Sequence, residues 1–194
     1  MKVLRRIETE TNTLEVGDVI ELKNGYTATC QKITEAGALM LLDQYVDERP
    51  MNEERSNRGG WESSDLRAFL LDNLDELIPG DLFERLGHFE NGDNVRIPML
   101  GEMVDDVPSW AEHQDAEQWP LMKDKRNQIA FHKDGRWDWC WCMDKDTESA
   151  TSFCDVSADG DADYYSASNS GGVRPAFLII YKSRGPRAPA LSNK

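Results

Sequence analysis

Residues 137–180 read WDWCWCMDKDTESATSFCDVSADGDADYYSASNSGGVRPAFLII, and the fold turns on how this stretch is arranged. In an extended chain successive side chains point to opposite faces. Trp137, Trp139 and Trp141 therefore fall on one side of a strand, with Asp138, Cys140 and Cys142 on the other. Three indoles in a row form a core face; stacking a sugar is the alternative use of such a row. Residues 144–170 are mostly Asp, Ser, Thr, Ala, Gly and Tyr, punctuated by Phe153, Cys154 and Val156. A segment of that composition cannot build a core of its own and must lie over one. Residues 173–181 (VRPAFLIIY) are a closing apolar strand, with Pro175 at an irregular or edge start. An apolar C-terminal strand needs a partner, and the N-terminal strands supply one, so the two chain ends are expected to meet.

Upstream, Val19, Ile20 and Leu22 run into Asn24-Gly25, a strong hairpin signal, and then into a Thr- and Tyr-bearing run to Ile33. After Gly37, residues 38–42 form a continuous apolar segment, a third strand of the meander. Residues 47–60 are charged, contain Pro50 and end in two glycines, which reads as a loop. From an N-cap at Ser63 or Ser64, apolar Leu66, Phe69, Leu70, Leu74 and Leu77 recur at three- and four-residue spacings, with Asp65 in the first turn. This is the best helix of the chain. Pro79-Gly80 ends it, Leu82, Phe83 and Leu86 suggest a second short helix, and Asn91-Gly92 turns the chain towards a strand at Val95 to Ile97.

The 194 residues, 39% of them hydrophobic, suffice for one domain with a sizeable core. A single domain over residues 1–182 is expected, followed by a disordered tail at 183–194. The formal charge of -14, from 36 acidic and 22 basic residues, repels phosphates and anionic lipid at long range, so neither nucleic acid nor membrane insertion is expected. No apolar run has the length of a span and no signal-like stretch opens the chain, which predicts synthesis in a cytoplasm. Cys30, Cys140, Cys142 and Cys154 are unevenly placed for a disulfide frame and read as reduced, buried thiols.

The Trp-rich strand, the Ser- and Gly-rich stretch and the Gly-Val-Arg-Pro-Ala strand together resemble a bacterial and phage domain family, DUF6273. Residues 59–70 (GGWESSDLRAFL) and 93–103 (DNVRIPMLGEM) are similar to that family's helix and following strand. The resemblance implies an α+β, C-type-lectin-like fold of the formylglycine-generating-enzyme kind, with antiparallel sheets, two or so helices and a loop-rich C-terminal half. It further implies kinship with variable proteins of diversity-generating retroelements in gut bacteria and their phages. In those systems adenines are randomised and Asn codons become mostly Asp, Ser, Tyr, Gly, Ala, Thr or Cys codons. Such a chain is a ligand-binding protein and not an enzyme. Its binding surface lies within residues 137–172, formed by Asp144, Asp146, Thr151, Ser152, Asp155, Ser157, Asp159, Asp161, Asp163, Tyr164, Tyr165, Ser166 and Asn169. Tyr with Ser and Gly is also paratope composition. The implied partners are cell-surface proteins or glycans, with a homo-oligomer or attachment to a phage virion as the setting. The alternatives are an oxidative enzyme of the formylglycine-generating class using Cys140, Cys142 or Cys154, and a structural virion component.

Other chemistry is thin. Residues 155–163 imitate a calcium loop, but Ser166 stands where a bidentate Glu is needed, so no cofactor or metal is expected. Cys140 and Cys142 lack the usual two-residue knuckle spacing. His88, His113 and His132 lie in unrelated segments and read as surface or structural residues. No His-Glu-x-x-His, Gly-x-Ser-x-Gly, P-loop or dinucleotide motif occurs.

Overall fold

A computed structural model describes residues 13–180. Ten strands form two five-stranded sheets, and the helices are few and short, an α+β architecture. The N-terminal hairpin forms as its sequence dictates. Strand β1 (Val19–Glu21) turns through a 3₁₀ segment at Lys23–Gly25 into β2 (Thr27–Ile33). Asn24 takes the left-handed conformation, φ 58°, and Gly25 follows at φ 73°, which Asn and Gly tolerate best. Strand β3 (Ala38–Leu42) is buried along its whole length. It pairs with β10 (Ala176–Ile179), which also pairs with β5 (Val95–Arg96), giving the first sheet the order β1-β2-β3-β10-β5. The C-terminal strand therefore closes against the N-terminal meander, as its unpartnered apolar sequence requires. Tyr181 and the expected tail at 183–194 lie outside the described residues.

The second sheet has the order β4-β9-β6-β7-β8: β4 (Asp47–Arg49), β6 (Cys140–Lys145), β7 (Ser152–Val156), β8 (Ala162–Ser166) and β9 (Gly171–Val173). One pairing departs from the expected antiparallel pattern, since β6 and β9 run parallel at Cys140 and Gly172. The loop expected over residues 47–60 begins with strand β4. Its polar sequence carries no strand signal, and its pairing with Gly171 to Val173 of β9 makes it one. Residues 144–170 do not simply lie over a core either. Strand β7 is buried throughout, because Phe153 faces one apolar cluster while Cys154 and Val156 face the other.

Helix α1 (Asp65–Asp72) starts where Ser64 Oγ accepts the Arg67 amide at 3.1 Å, and Leu66 and Leu70 are its buried face. The periodicity then continues through a break at Asn73 into α2 (Leu74–Leu77). Two further single-turn helices follow, α3 (Gly80–Phe83) and α4 (Leu100–Met103).

Two of the chain's passages between the sheets, from β3 to β4 and from β9 to β10, are short, and these two crossings are joined. The Leu42 amide donates to Pro175 O at 3.0 Å and the Val46 amide to Val173 O at 2.9 Å. Arg174, 5% exposed, lies between them. Its Nε donates to Leu42 O and its Nη1 to Asn127 O, each at 2.8 Å. Charged donors to buried carbonyls are among the stronger hydrogen bonds, and removing the donor strands both acceptors. Arg174→Ala is expected to cost about 3 kcal/mol or more in urea unfolding. Arg126→Ala, which removes a fully exposed partner of Asp124, should fall within about 0.5 kcal/mol of the parent. Equal effects at the two arginines would show that Arg174 does not hold the crossings together.

Candidate functional site

Strand alternation works along β6, but it starts later than the Trp row suggests. Trp139 and Trp141 share a side, their rings edge to face at 4.6 Å, while Cys140 and Cys142 enter the other cluster with Cys154. Trp137 is not part of this face. It precedes the strand, is 60% exposed, and rests on Phe131. All four thiols are buried and unpaired. Burial pushes Cys30 and Cys140 up to about 11 and raises Cys142 and Cys154 as well. Thiols so disfavoured as thiolates are poor nucleophiles.

The residues expected at a display surface separate into two groups. Asp159, Asp161, Asp163, Tyr164, Tyr165 and Asn169 are exposed, with Ser157, Ser166 and Thr151 partly so. Asp144, Asp146, Ser152 and Asp155 are buried and cannot be surface contacts. Asp144 accepts from the Leu100 amide at 2.7 Å, from the His113 amide at 3.0 Å and from His113 Nδ1 at 2.9 Å. Asp146 accepts the Glu148 amide through its carboxylate. The calcium-like spacing is not used as a loop: residues 155 and 163 face each other across a β7–β8 hairpin, and Asp161 pairs with Lys125.

His113 is the residue the sequence concealed. It lies 31 positions from Asp144, on an irregular segment without periodicity, and only tertiary structure joins them. The bond to Asp144 raises its pKa, against the lowering effect of burial. With Nδ1 tied to a buried carboxylate, Nε2 is the nitrogen left to act. Among the described residues no hydroxyl or thiol hydrogen-bonds to it, so the pair orients an imidazole without an attached nucleophile. Nearby, Lys145 bonds Glu112 at 2.9 Å and the Trp110 ring meets Tyr164 edge to face.

The opposite face of the second sheet carries a more demanding arrangement. Asp155 is the register partner of Asp163 on β8 and of Trp141 on β6, so the three side chains share the side on which Phe153 lies. Trp139 stacks on Tyr165 with centroids 4.6 Å apart and planes 18° from parallel. Gly171 permits this plate, since a Cβ there would fall 2.2 Å from the Trp139 ring. Neither oxygen of Asp155 has a hydrogen-bond partner among the described residues. Burial, and then the charges of Asp163 and Asp138, push its pKa up to about 8. A separate cleft of about 790 Å³ opens beside the start of β8, lined by Asp105, Asp106, Lys123, Lys125, Gln128 and Asp161 among others.

No family model and no solved structure matches the chain. Protein archease of Thermococcus gammatolerans is 29% identical to it over 143 residues, which span 69% of this chain and 94% of archease. This similarity overturns the resemblance to DUF6273 and to lectin-fold variable proteins of diversity-generating retroelements. The functions and settings drawn from that resemblance fall with it, namely a diversified ligand surface, cell-surface protein or glycan targets, and a phage virion. The physical reason is that Asp, Ser, Gly and Tyr reachable from Asn codons are also ordinary hairpin residues, and residues 155–166 are a hairpin. Among the described residues no helix is long and apolar enough to cross a membrane.

Asp155 generates a pH dependence. Its folded pKa of about 8 exceeds the unfolded value near ~3.9, so the native state keeps a proton that the unfolded chain has lost. Stability should fall as pH rises from ~4 towards ~8, by at most ~1.4 kcal/mol per unit, and level off above. His113, also raised, adds the same sign as pH rises through its folded pKa. Urea unfolding between pH 5 and 9 should show this slope in the parent and a flatter one in Asp155→Asn. An unchanged slope would mean that Asp155 is ionised in the fold.

Proposed function

We propose that this chain is an accessory protein of RNA ligation, acting in tRNA processing. The observation that carries the reading is the similarity to archease, a protein associated with RNA ligase and tRNA processing, across nearly its whole length. In that role the chain acts through the ligase, in keeping with its buried thiols and an imidazole oriented by Asp144. The expectation that RNA would stand outside its partners is corrected by the same similarity. Net charge describes long-range contact with phosphates, whereas participation in an RNA pathway can run through a protein. The charge of -14 favours approach to the basic surface that an RNA-handling enzyme presents. Of the fold, we propose the C-type-lectin-like arrangement as a matter of architecture alone, supported by the closure of β10 on the N-terminal meander and by the second sheet of short, loop-linked strands.

The test is a multiple-turnover ligation assay with the RNA ligase encoded in the same genome and a cleaved tRNA as substrate. Adding the protein should raise the rate by roughly tenfold, mid-range for coupling between two binding events. Absence of both stimulation and co-elution with the ligase would sink the reading.

A further inference from the structure

Among the described residues strand β8 is the outer edge of the second sheet, and its side chains are mostly exposed. An edge strand offers a row of backbone donors and acceptors to an incoming chain. In the β7–β8 hairpin, the Ser157 amide bonds Asp161 O and the Ala167 amide bonds Thr151 O, so odd-numbered positions turn their backbone groups inward. The even-numbered ones, including Ala162 and Tyr164, turn theirs out. The Tyr164 amide is held by the side chain of its own neighbour, Asp163 Oδ1, at 2.8 Å. Such a local bond is readily exchanged for one to a partner.

Beside this edge lies the face that Asp155 and Asp163 share. Asp155 is fully buried with both oxygens unpartnered among the described residues, and the Tyr165 ring, 41% exposed and stacked on Trp139, borders the same face. Two carboxylates next to an aromatic plate match the chemistry of a guanidinium. Its planar fork pairs with carboxylates at its edge and stacks on rings by its face. An ammonium satisfies the charge but not the stacking. A glycan or an acidic peptide satisfies neither, and the overall charge of -14 steers basic segments towards the molecule.

We propose that the free edge of β8 receives an extended, arginine-bearing segment of a partner protein, whose backbone pairs with β8 and whose guanidinium is held by Asp163 and Asp155 against Tyr165. The inference rests on the accessory reading, for it supplies the surface through which such a protein would grip its enzyme. Tyr165, an edge-strand side chain held by one ring stack, shifts to open the way to Asp155 and then lies against the bound guanidinium. The incoming charge replaces the missing partner of Asp155 and drives off its proton. Asp163 on β8 and Asp138 ahead of β6 are the charged groups that act on Asp155. Both are acidic, so a bound cation relieves repulsion among all three.

The probe is a fluorescein-labelled peptide of alternating Thr and Arg, compared with its Thr-Lys counterpart and with a version carrying Pro at alternate positions, which cannot pair with a strand. In fluorescence anisotropy at moderate salt, the Arg peptide should bind at least about tenfold more tightly than the Pro version, and more tightly than the Lys version. Asp155→Asn with Asp163→Asn should weaken it by about tenfold or more, whereas Asp81→Asn with Glu84→Gln, which removes the same number of carboxyl groups at α3 and its C-cap, should leave it within about twofold. Binding should also tighten from pH 6 to 9 in the parent and not in Asp155→Asn, a single near-isosteric variant that puts a neutral amide where the fold holds a protonated acid. Three peptides of equal affinity, or equal losses in both double variants, would reduce the effect to net charge and overturn the proposal. The ligase assay separates the two readings. Stimulation that survives Asp155→Asn with Asp163→Asn removes the site and leaves the accessory role. Specific peptide binding without stimulation of any ligase removes the role and leaves the site.

Discussion

Arg174 holds two segments that would otherwise separate. Each sheet alone has an apolar face needing cover, and the chain crosses between them at residues 43–46 and 174–175. Backbone bonds from Leu42 and Val46 lock the crossings side by side, and the buried guanidinium ties Leu42 O to Asn127 O. Desolvation opposes its charge, yet an arginine stays protonated in such surroundings. Tyr45 completes the joint: its hydroxyl donates to Asp138 O at 2.9 Å and accepts the Ala130 amide at 3.2 Å. Through Asp138 this joint sets where β6 begins. The position of β6 in turn fixes Trp139, Asp144 and the registers of β7 and β8.

What was legible in the sequence follows from where the determinants are local. Asn24-Gly25 specifies its own turn, Ser64 its own cap, and residues 38–42 declare burial by composition, so these elements appear where the sequence places them. The alternation of Trp139 and Trp141 against Cys140 and Cys142 is equally local and equally sound. Strand β4 is different: Asp47, Glu48 and Arg49 are a strand because Gly171 and Gly172 lie alongside them. The burial of Asp144 is of the same kind, since its partners Leu100 and His113 are brought to it by α4 and by the irregular segment that follows. No pattern within a short window encodes either.

The resemblance to variable binding proteins failed for a related reason. A window rich in Asp, Ser, Gly and Tyr is what a solvent-facing hairpin needs, whatever its history, because these residues make turns and tolerate exposure. Composition therefore marked residues 144–170 as a polar stretch lying over a core, while the hairpin at residues 152–166 and its ancestry were beyond it. The similarity to archease runs over 143 residues and does not depend on one compositionally biased window.

The position of Asp155 carries the argument one step further. In the centre of β7, between Phe153 on its own face and Cys154 and Val156 on the other, an apolar β-branched residue would serve the fold better. An unpaired carboxyl there costs stability in either protonation state, less as the acid than as the anion. The neighbouring strands add Asp163 and Asp138, which deepen the cost rather than relieve it. Among the described residues no basic side chain is ion-paired with these three acids, and a basic group from the partner proposed above would offset their cost. Violations of local rules that no internal contact offsets are expected where a protein meets its partner. Here the violation lies one strand in from the free edge that a partner would use.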